Sequence, residues 1–261
     1  MTTRNMDQQD TMAALDYDLE EEEEGEGMTL IEHLEELRQR IFKSLIAIVI
    51  GAVVAFIFRV PIFKVLLYPL PKAADALGGG KLVAIGIAEG FTVYLLVSLA
   101  VGFVAALPVI LYQTWAFISP GLYEHEKKYA GPFIFIGVIL FALGITIGYV
   151  VLRFPIQWLI SFASDSFTEL VTASSYFTFV AFFELAFGVV FELPLVLTFL
   201  AQIGLVTSKT LTKKRPVAHV GMWIAATFLT PGADIYSPII LGVSMSCLYE
   251  LTILFIKAIK K

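Results

Sequence analysis

Cysteine, histidine and charged residues are all scarce in this 261-residue sequence: it has one cysteine, three histidines and only 16% charged residues. The single Cys247 excludes an intrachain disulfide and any metal site built from several cysteines. His33, His125 and His219 lack the spacing of a ligand cluster, so neither a metal nor another cofactor is predicted. The sequence also lacks the G-x-x-x-x-G-K-[ST] loop of nucleotide-binding proteins, which excludes ATP as an energy source within this chain.

Apolar residues are abundant, at 58% of the chain with a mean hydropathy of +0.82. This composition predicts an integral membrane protein. Residues 1–27 hold ten carboxylates and one arginine, which accounts for the negative formal charge of −5. We predict an acidic disordered leader over 1–27 and a membrane domain over 28–261. The leader resembles neither a transit peptide nor a cleaved signal sequence, so the first span is expected to be retained.

Six apolar runs are candidates for membrane-spanning helices, because about 20 helical residues cross a bilayer. The fifth run has only 13 residues and would need a thinner bilayer or shelter from its neighbours. The sequence therefore predicts an all-α polytopic fold with six transmembrane helices, the last two short and joined at TPGAD. The predicted spans are Ile41–Phe58, Phe91–Leu111, Phe133–Leu152, Tyr176–Leu200, Val217–Leu229 and Ile239–Ile256.

Basic residues are distributed unevenly between the two sides of these spans. Thirteen lysines and arginines flank one side and five flank the other. Since basic residues are enriched in cytoplasmic loops, both termini are predicted to be cytoplasmic. The opposite side then carries a long first loop over 61–90. The two halves lack the matched broken helices of a transporter with inverted repeats.

An acidic helix is predicted just before the first span, in MTLIEHLEELRQRIF. Thr29 and Glu32 have the spacing of a capping box, and the apolar residues recur at helical spacing. Glu32, Glu35 and Glu36 lie off the apolar stripe. One interpretation is a solvated face with local pairs such as Glu36 with Arg40.

A second acidic cluster lies in the cytoplasmic segment QTWAFISPGLYEHEKKYAGP, where Glu124 and Glu126 precede two lysines. Ordinary surface pairing would again explain it. Two acidic clusters on one membrane face also suggest a basic ligand, because carboxylates accept guanidinium groups through two parallel hydrogen bonds.

Glutamates also interrupt the fourth apolar run. The stretch AFGVVFELPLVLTFL contains Glu192 and Pro194, and Glu184 lies eight residues before Glu192. That separation is about 80° around a helix, so both carboxylates are expected on the same side. A charged group in hydrocarbon costs roughly 2.5–3.5 kcal/mol, so the two glutamates are either functional or satisfied by a neighbouring helix. Pro194 is interpreted as a tolerated kink.

Five motifs resemble, in order and spacing, those of the TatC family, the multispanning subunit of the twin-arginine (Sec-independent) protein translocase. They are HLEELRQRIF, PVILYQTWAFISPGLYEHEKK, AFGVVFELPLVL, KKRP and LTPGAD. The resemblance implies a non-enzymatic receptor for twin-arginine signal peptides that begins the export of folded proteins, using the proton motive force. It assigns arginine recognition to Glu36 and Glu126 and the shape of the recognition loop to Phe117 and Pro120. Arg38 either orients Glu36 or contacts lipid headgroups.

The resemblance further implies partners: single-span TatA and TatB subunits, further copies of this protein, the signal peptide and membrane lipid, with no nucleic acid. Glu192, and less directly Glu184, would dock the single-span subunits. On the outer side Pro69 would fix the first loop. Glu89 is either structural or a simple interfacial carboxylate, and Asp234 in TPGAD is most simply a turn former.

One family feature is missing, because the second span reads YLLVSL where many relatives carry a basic residue. Any role attached to that charge is not transferred to this chain. The implied location is the bacterial cytoplasmic membrane, with archaeal and thylakoid membranes as alternatives.

Two other functions are alternatives for a chain with six spans. A rhomboid-like protease also has six spans but needs a serine and a histidine at membrane depth, and no histidine lies well inside a predicted span. A transporter or proton channel stays open as an alternative because of Glu184 and Glu192.

Overall fold

A computed structural model describes residues 30–71, 82–121, 127, 130–162, 171–232 and 234–259. The chain divides into two units, Met1–Phe42 and Lys43–Lys261. The predicted leader over 1–27 lies outside the described residues. Within the described ranges the chain is all-helical, and the one extended pairing is a single bridge between Val83 and Thr172.

The longer helices coincide with the apolar runs of the sequence. In chain order the helices are α1 Leu30–Ile57, α2 Arg59–Leu67, α3 Glu89–Ile118, α4 Ala130–Val151, α5 Arg153–Phe162, α6 Ala173–Phe191, α7 Leu193–Gln202, α8 Ser208–Lys213, α9 Arg215–Leu229 and α10 Tyr236–Ala258, with a 3₁₀ turn at Ser119–Gly121.

Five helical stretches of the described chain are long and apolar enough to cross a membrane, as an integral membrane protein requires. They contain all the predicted spans except the fifth, apart from Phe58 at the end of the first. The fifth span lies in α9, whose 15 residues make about 22 Å of helix. The prediction that the last span is short is wrong, because α10 has 23 residues and reaches membrane length. The count of six spans and the orientation of the termini stay predictions. The five stretches are Ile31–Ile57, Glu89–Gly121, Ala130–Phe162, Ala173–Gln202 and Tyr236–Ala258.

A break at Glu192 separates α6 from α7. Helix α6 ends at Phe191, α7 begins at Leu193, and Pro194 lies in the first turn of the new helix. Proline is tolerated there because amide groups of a first turn have no partner within the helix. The break therefore accommodates Pro194 and places Glu192 at the junction.

Helix α4 packs closely on α6 through glycines. A Cβ atom added at Gly144 would lie 2.7 Å from the Phe187 carbonyl oxygen, and one at Gly188 would lie 2.6 Å from the Phe141 ring. Phe183 and Phe187 are fully buried at this contact. Small residues let membrane helices approach closely, and dispersion between the surfaces then stabilises the pair.

Helices α1 and α3 cross in a similar way. A Cβ atom at Gly51 would lie 2.8 Å from the Gly102 carbonyl oxygen, and one at Gly102 would collide with the Ala52 amide nitrogen. Elsewhere many large apolar side chains of α1 are exposed, among them Val49, Ile50 and Val53. Such a surface is suited to lipid.

Candidate functional site

The predicted arginine-binding carboxylate, Glu36, lies two turns into α1. Its Oε1 accepts hydrogen bonds from Arg40 Nη2 at 3.0 Å and Arg40 Nε at 3.3 Å. The Nδ1 of His33 lies 4.0 Å from Glu36 Oε2. The Glu36–Arg40 pair that the helical spacing predicts is therefore formed, and it is partly buried, with the Glu36 side chain 13% exposed.

Arg38 packs on an aromatic ring of its own helix and not on Glu36. Its guanidinium lies over the Phe42 ring, 5.7 Å from the ring centre, and its side chain is exposed. The arginine that holds Glu36 is Arg40, because residues four apart are neighbours on a helix and residues two apart point in different directions. Both roles of Arg38 stay predictions.

The predicted recognition loop begins at the end of α3. Phe117 is half-buried in the last turn of α3, and Pro120 is exposed in the 3₁₀ turn that follows. Glu126 and Glu124 lie outside the described residues.

An aromatic cluster that the sequence analysis missed anchors both ends of this loop. The buried Trp115 ring lies 5.0 Å from the Phe133 ring and 5.2 Å from the Phe199 ring, centre to centre. These rings join the ends of α3 and α7 to the start of α4. The signal in the sequence was the pair of aromatics that flank the loop.

The two intramembrane glutamates face the same helix, as their spacing predicts. A Cβ atom at Gly148 of α4 would lie 3.0 Å from Glu184 Oε2, and one at Gly137 would lie 3.2 Å from Glu192 Oε2. No described residue donates a hydrogen bond to either carboxylate. Glu184 is buried, with 8% of the residue exposed, whereas Glu192 is half-buried. Each carboxylate thus occupies space that a glycine leaves.

Glu89 connects the segment before α3 to the start of α6. Its Oε2 accepts hydrogen bonds from the Ile85 and Gly86 amides at 2.6 and 3.1 Å, and its Oε1 accepts one from the Ser174 amide at 2.9 Å. Ser174 lies in the first turn of α6, where amides lack helical partners. Glu89 therefore makes a structural contact between the segment before α3 and the start of α6.

The end of α2 is held by two tyrosines. Tyr149 donates a hydrogen bond to the Val65 carbonyl at 2.6 Å, and Tyr176 donates one to the Leu66 carbonyl at 2.7 Å. Both carbonyls lie in the last turn of α2, and that of Val65 also accepts a hydrogen bond from the Tyr68 amide at 3.1 Å. Pro69 follows and is buried, and its role in fixing the first loop stays a prediction.

Asp234 caps the last helix. Its Oδ1 accepts a hydrogen bond from the Ser237 amide at 2.6 Å, and the residue is buried. This geometry is that of an aspartate at a helix start. It agrees with the simpler interpretation of Asp234 as a turn residue.

A polar network between α9 and α10 was missed by the sequence analysis. Glu250 accepts a hydrogen bond from Arg215 at 2.6 Å and lies 3.2 Å from His219 Nε2, while His219 Nδ1 lies 3.1 Å from Ser246 Oγ. Arg215 and Glu250 lie at nearly equal distances along the chain from the TPGAD turn. Equal separations from a turn bring two residues to the same height in a helical hairpin, so this spacing could have predicted the contact.

Comparisons with known proteins agree on one family. A family model described as Sec-independent protein translocase protein (TatC) matches residues 32–243. A TatC protein of Desulforapulum autotrophicum is 38% identical over 232 residues, covering 88% of this chain and 85% of that protein. The TatC protein of Escherichia coli K12 is 34% identical over 230 residues, which is 87% of each chain.

The fold is similar to solved structures as well. A crystal structure described as the twin arginine translocase receptor TatC in DDM superposes with a TM-score of 0.74 at 33% identity. The similarity covers 86% of this chain and 99% of that one.

Proposed function

The chain belongs to the TatC family of Sec-independent protein translocase proteins, whose members are named for transport and not for catalysis, and we propose that it is a receptor for twin-arginine signal peptides. The observation that carries the proposal is the state of Glu36. This carboxylate is largely buried and already accepts two hydrogen bonds from a guanidinium. The environment of Glu36 is therefore one in which an arginine side chain is bound.

Arginine suits such a site better than lysine does. A guanidinium is planar, carries five N–H donors and is weakly hydrated, whereas an ammonium is a compact and strongly hydrated charge. Two arginines need two separately placed carboxylates, for which we propose Glu36 and Glu126. Phe117 and Pro120 would shape the loop between α3 and α4, and the aromatic cluster beneath it would keep the loop ends in place.

Site-specific crosslinking tests this assignment. A signal peptide with Arg-Arg and the same peptide with Lys-Lys would be crosslinked to the wild-type chain and to Glu36→Ala and Glu126→Ala. We expect the Arg-Arg peptide to crosslink to the wild type and to lose the crosslink in Glu36→Ala and in Glu126→Ala, and we expect the Lys-Lys peptide not to crosslink to the wild type. Glu35→Ala is the matched control, since Glu35 is an exposed carboxylate of the same helix and should retain most of the crosslink. Equal crosslinking by both peptides to all variants would refute the receptor assignment.

Glu192 is proposed as the docking point for the single-span TatA and TatB subunits. It is half-buried, has no hydrogen-bond donor among the described residues and lies at the break between α6 and α7. A polar group of a partner helix would supply the missing donor. Glu184 is more deeply buried against Gly148, so it ranks second.

Co-purification separates docking from recognition. Glu192→Ala should weaken association with the single-span subunits and leave signal-peptide crosslinking intact, and Glu192→Gln, which can still hydrogen-bond, should keep part of the association. Loss of crosslinking with normal association would contradict the assignment.

The proposal extends to the membrane, the orientation of the chain, its assembly and its energy source. We propose that the protein lies in a bacterial cytoplasmic membrane with both termini in the cytoplasm, and that it works with further copies of itself to export folded proteins using the proton motive force. Thirteen of the eighteen basic residues lie on the predicted cytoplasmic side. Labelling of single cysteines introduced into a Cys247→Ser chain would test the orientation, and labelling of both termini from outside would refute it.

A proton pathway is the second candidate, favoured by the two glutamates without hydrogen-bond donors. Proton flux through liposomes that contain this chain alone would support it, and flux no greater than that of empty liposomes would exclude it.

A further inference from the structure

The carboxylate proposed to read arginine is already occupied by an arginine of its own helix. Arg40 directs both Nε and Nη2 to Glu36 Oε1, at 3.3 and 3.0 Å. This is the pairing of charge, donors and planar geometry that an incoming signal-peptide arginine would offer. A ligand cannot use Oε1 in the same way while Arg40 is in place.

The second oxygen does not offer an alternative. Glu36 Oε2 is buried and has no hydrogen-bond partner among the described residues. The His33 Nδ1 lies 4.0 Å from Glu36 Oε2, which is beyond hydrogen-bonding distance. One oxygen is therefore occupied and the other is closed to solvent, so a ligand requires Glu36 or Arg40 to move.

We propose that Arg40 is an internal ligand of the receptor carboxylate, and that a signal-peptide arginine binds Glu36 by displacing it. The inference rests on the proposed receptor function and adds a residue to that site. In the absence of a signal peptide Glu36 is paired with Arg40, and in the complex Glu36 is paired with the peptide while Arg40 turns toward water or lipid headgroups.

Exchange of one guanidinium for another is physically favourable as a mechanism. A partly buried carboxylate without its partner is costly, because the remaining charge is left without compensation. In an exchange the carboxylate is paired before and after, so this cost is avoided. Arg40 is long and a quarter of its side chain is exposed, so it can leave without disturbing a packed core.

Displacement makes a quantitative prediction about specificity. Every ligand that enters must break the same Glu36–Arg40 pair, so the cost is the same for an Arg-Arg and a Lys-Lys peptide. Removing Arg40 should therefore strengthen the binding of both peptides by the same factor. The ratio of the two affinities, which the ligand geometry determines, should stay as it is in the wild type.

The test is peptide binding by the purified full chain in nanodiscs, measured with fluorescent Arg-Arg and Lys-Lys signal peptides. Arg40→Gln should tighten the binding of both by about two- to fivefold, the range expected from the strength of a helical ion pair near the surface. Arg40→Lys, which keeps the charge but not the two-donor geometry, should give a smaller gain. Thermal unfolding of each variant shows whether it is folded.

Two controls distinguish the release of Glu36 by Arg40 from a general effect of removing a positive charge. Lys43→Gln removes one positive charge from the same helix at an exposed position and should leave both affinities unchanged. In a Glu36→Gln background, Arg40→Gln should give no further gain, since the pair it would release is already absent.

Four outcomes would overturn the inference. They are weaker Arg-Arg binding by Arg40→Gln, unchanged binding, a changed ratio between the two peptides, and a gain that persists without Glu36. Failure of the receptor proposal has a different signature, because wild-type binding would then be absent or independent of Glu36. If Arg40→Gln does not fold, the comparison of Arg40→Lys with the wild type decides the matter, and no gain there overturns the inference.

Discussion

Gly144→Ala is the sharpest test of how the membrane domain is packed. The added Cβ would lie 2.7 Å from the Phe187 carbonyl oxygen and 2.8 Å from the Phe191 Cβ. Neither atom belongs to the far end of a flexible side chain, so α4 and α6 must separate to make room.

The magnitude follows from two opposing effects. Overpacking by a methyl group costs about 1–3 kcal/mol, and the backbone contact at Phe187 favours the upper part of that range. Replacing glycine by alanine inside a helix returns about 0.8–1 kcal/mol. We expect a net loss of about 1–2 kcal/mol, which in a domain of similar length lowers the unfolding temperature by about 2–8 °C.

The assay is thermal unfolding of the purified protein in detergent, followed by the loss of the monodisperse species. Gly131→Ala is the matched control in the same helix, because no atom lies within 4 Å of its added Cβ. It should unfold at or slightly above the wild-type temperature. If Gly144→Ala proves as stable as Gly131→Ala, the close α4–α6 contact described above is wrong.

Three polar contacts make further predictions. Tyr176→Phe removes the donor to the last turn of α2 and should cost about 1 kcal/mol in unfolding experiments; an unchanged unfolding temperature would contradict this. Asp234→Ala removes the hydrogen-bond acceptor of the Ser237 amide, so it should lower the free energy of unfolding by about 1 kcal/mol and speed hydrogen exchange in the first turn of α10. Asp234→Asn should have smaller effects on both. Equal exchange rates in the two variants would count against capping by Asp234. Glu250→Gln breaks a half-exposed ion pair with Arg215 and should cost at most about 1 kcal/mol, less at high salt; a loss independent of salt would exclude the ionic explanation.

Much of the fold could be predicted because long apolar runs are sufficient to identify membrane helices. Five of the six predicted spans lie in helices of membrane length, and the predicted short fifth run lies in the 15-residue helix α9. The local Glu36–Arg40 pair was also predictable, since residues four apart on a helix are always neighbours.

The contacts between distant segments were not predictable in the same way. The residues next to Glu89 in the sequence do not indicate that Ser174 is its partner. The α9–α10 network forms only because residues of the two helices lie at the same height in the helical hairpin. The role of Gly144 in close packing also escaped, although Gly137, Gly144 and Gly148 have the spacing of one helix face. In a run where nearly every residue is apolar, hydropathy carries little information about which face meets a neighbour.

The sequence by itself determined that the chain is an integral membrane protein of helices and, through its motifs, which family it resembles. Both follow from composition and from residues close together in the chain. Only the tertiary structure decided that Glu184 and Glu192 face glycines of α4, that Glu89 bridges the segment before α3 and α6, and that tyrosines hold the end of α2. The physical reason is that helices in lipid are positioned by close packing and a few hydrogen bonds, and these depend on atoms that the chain brings together from far apart.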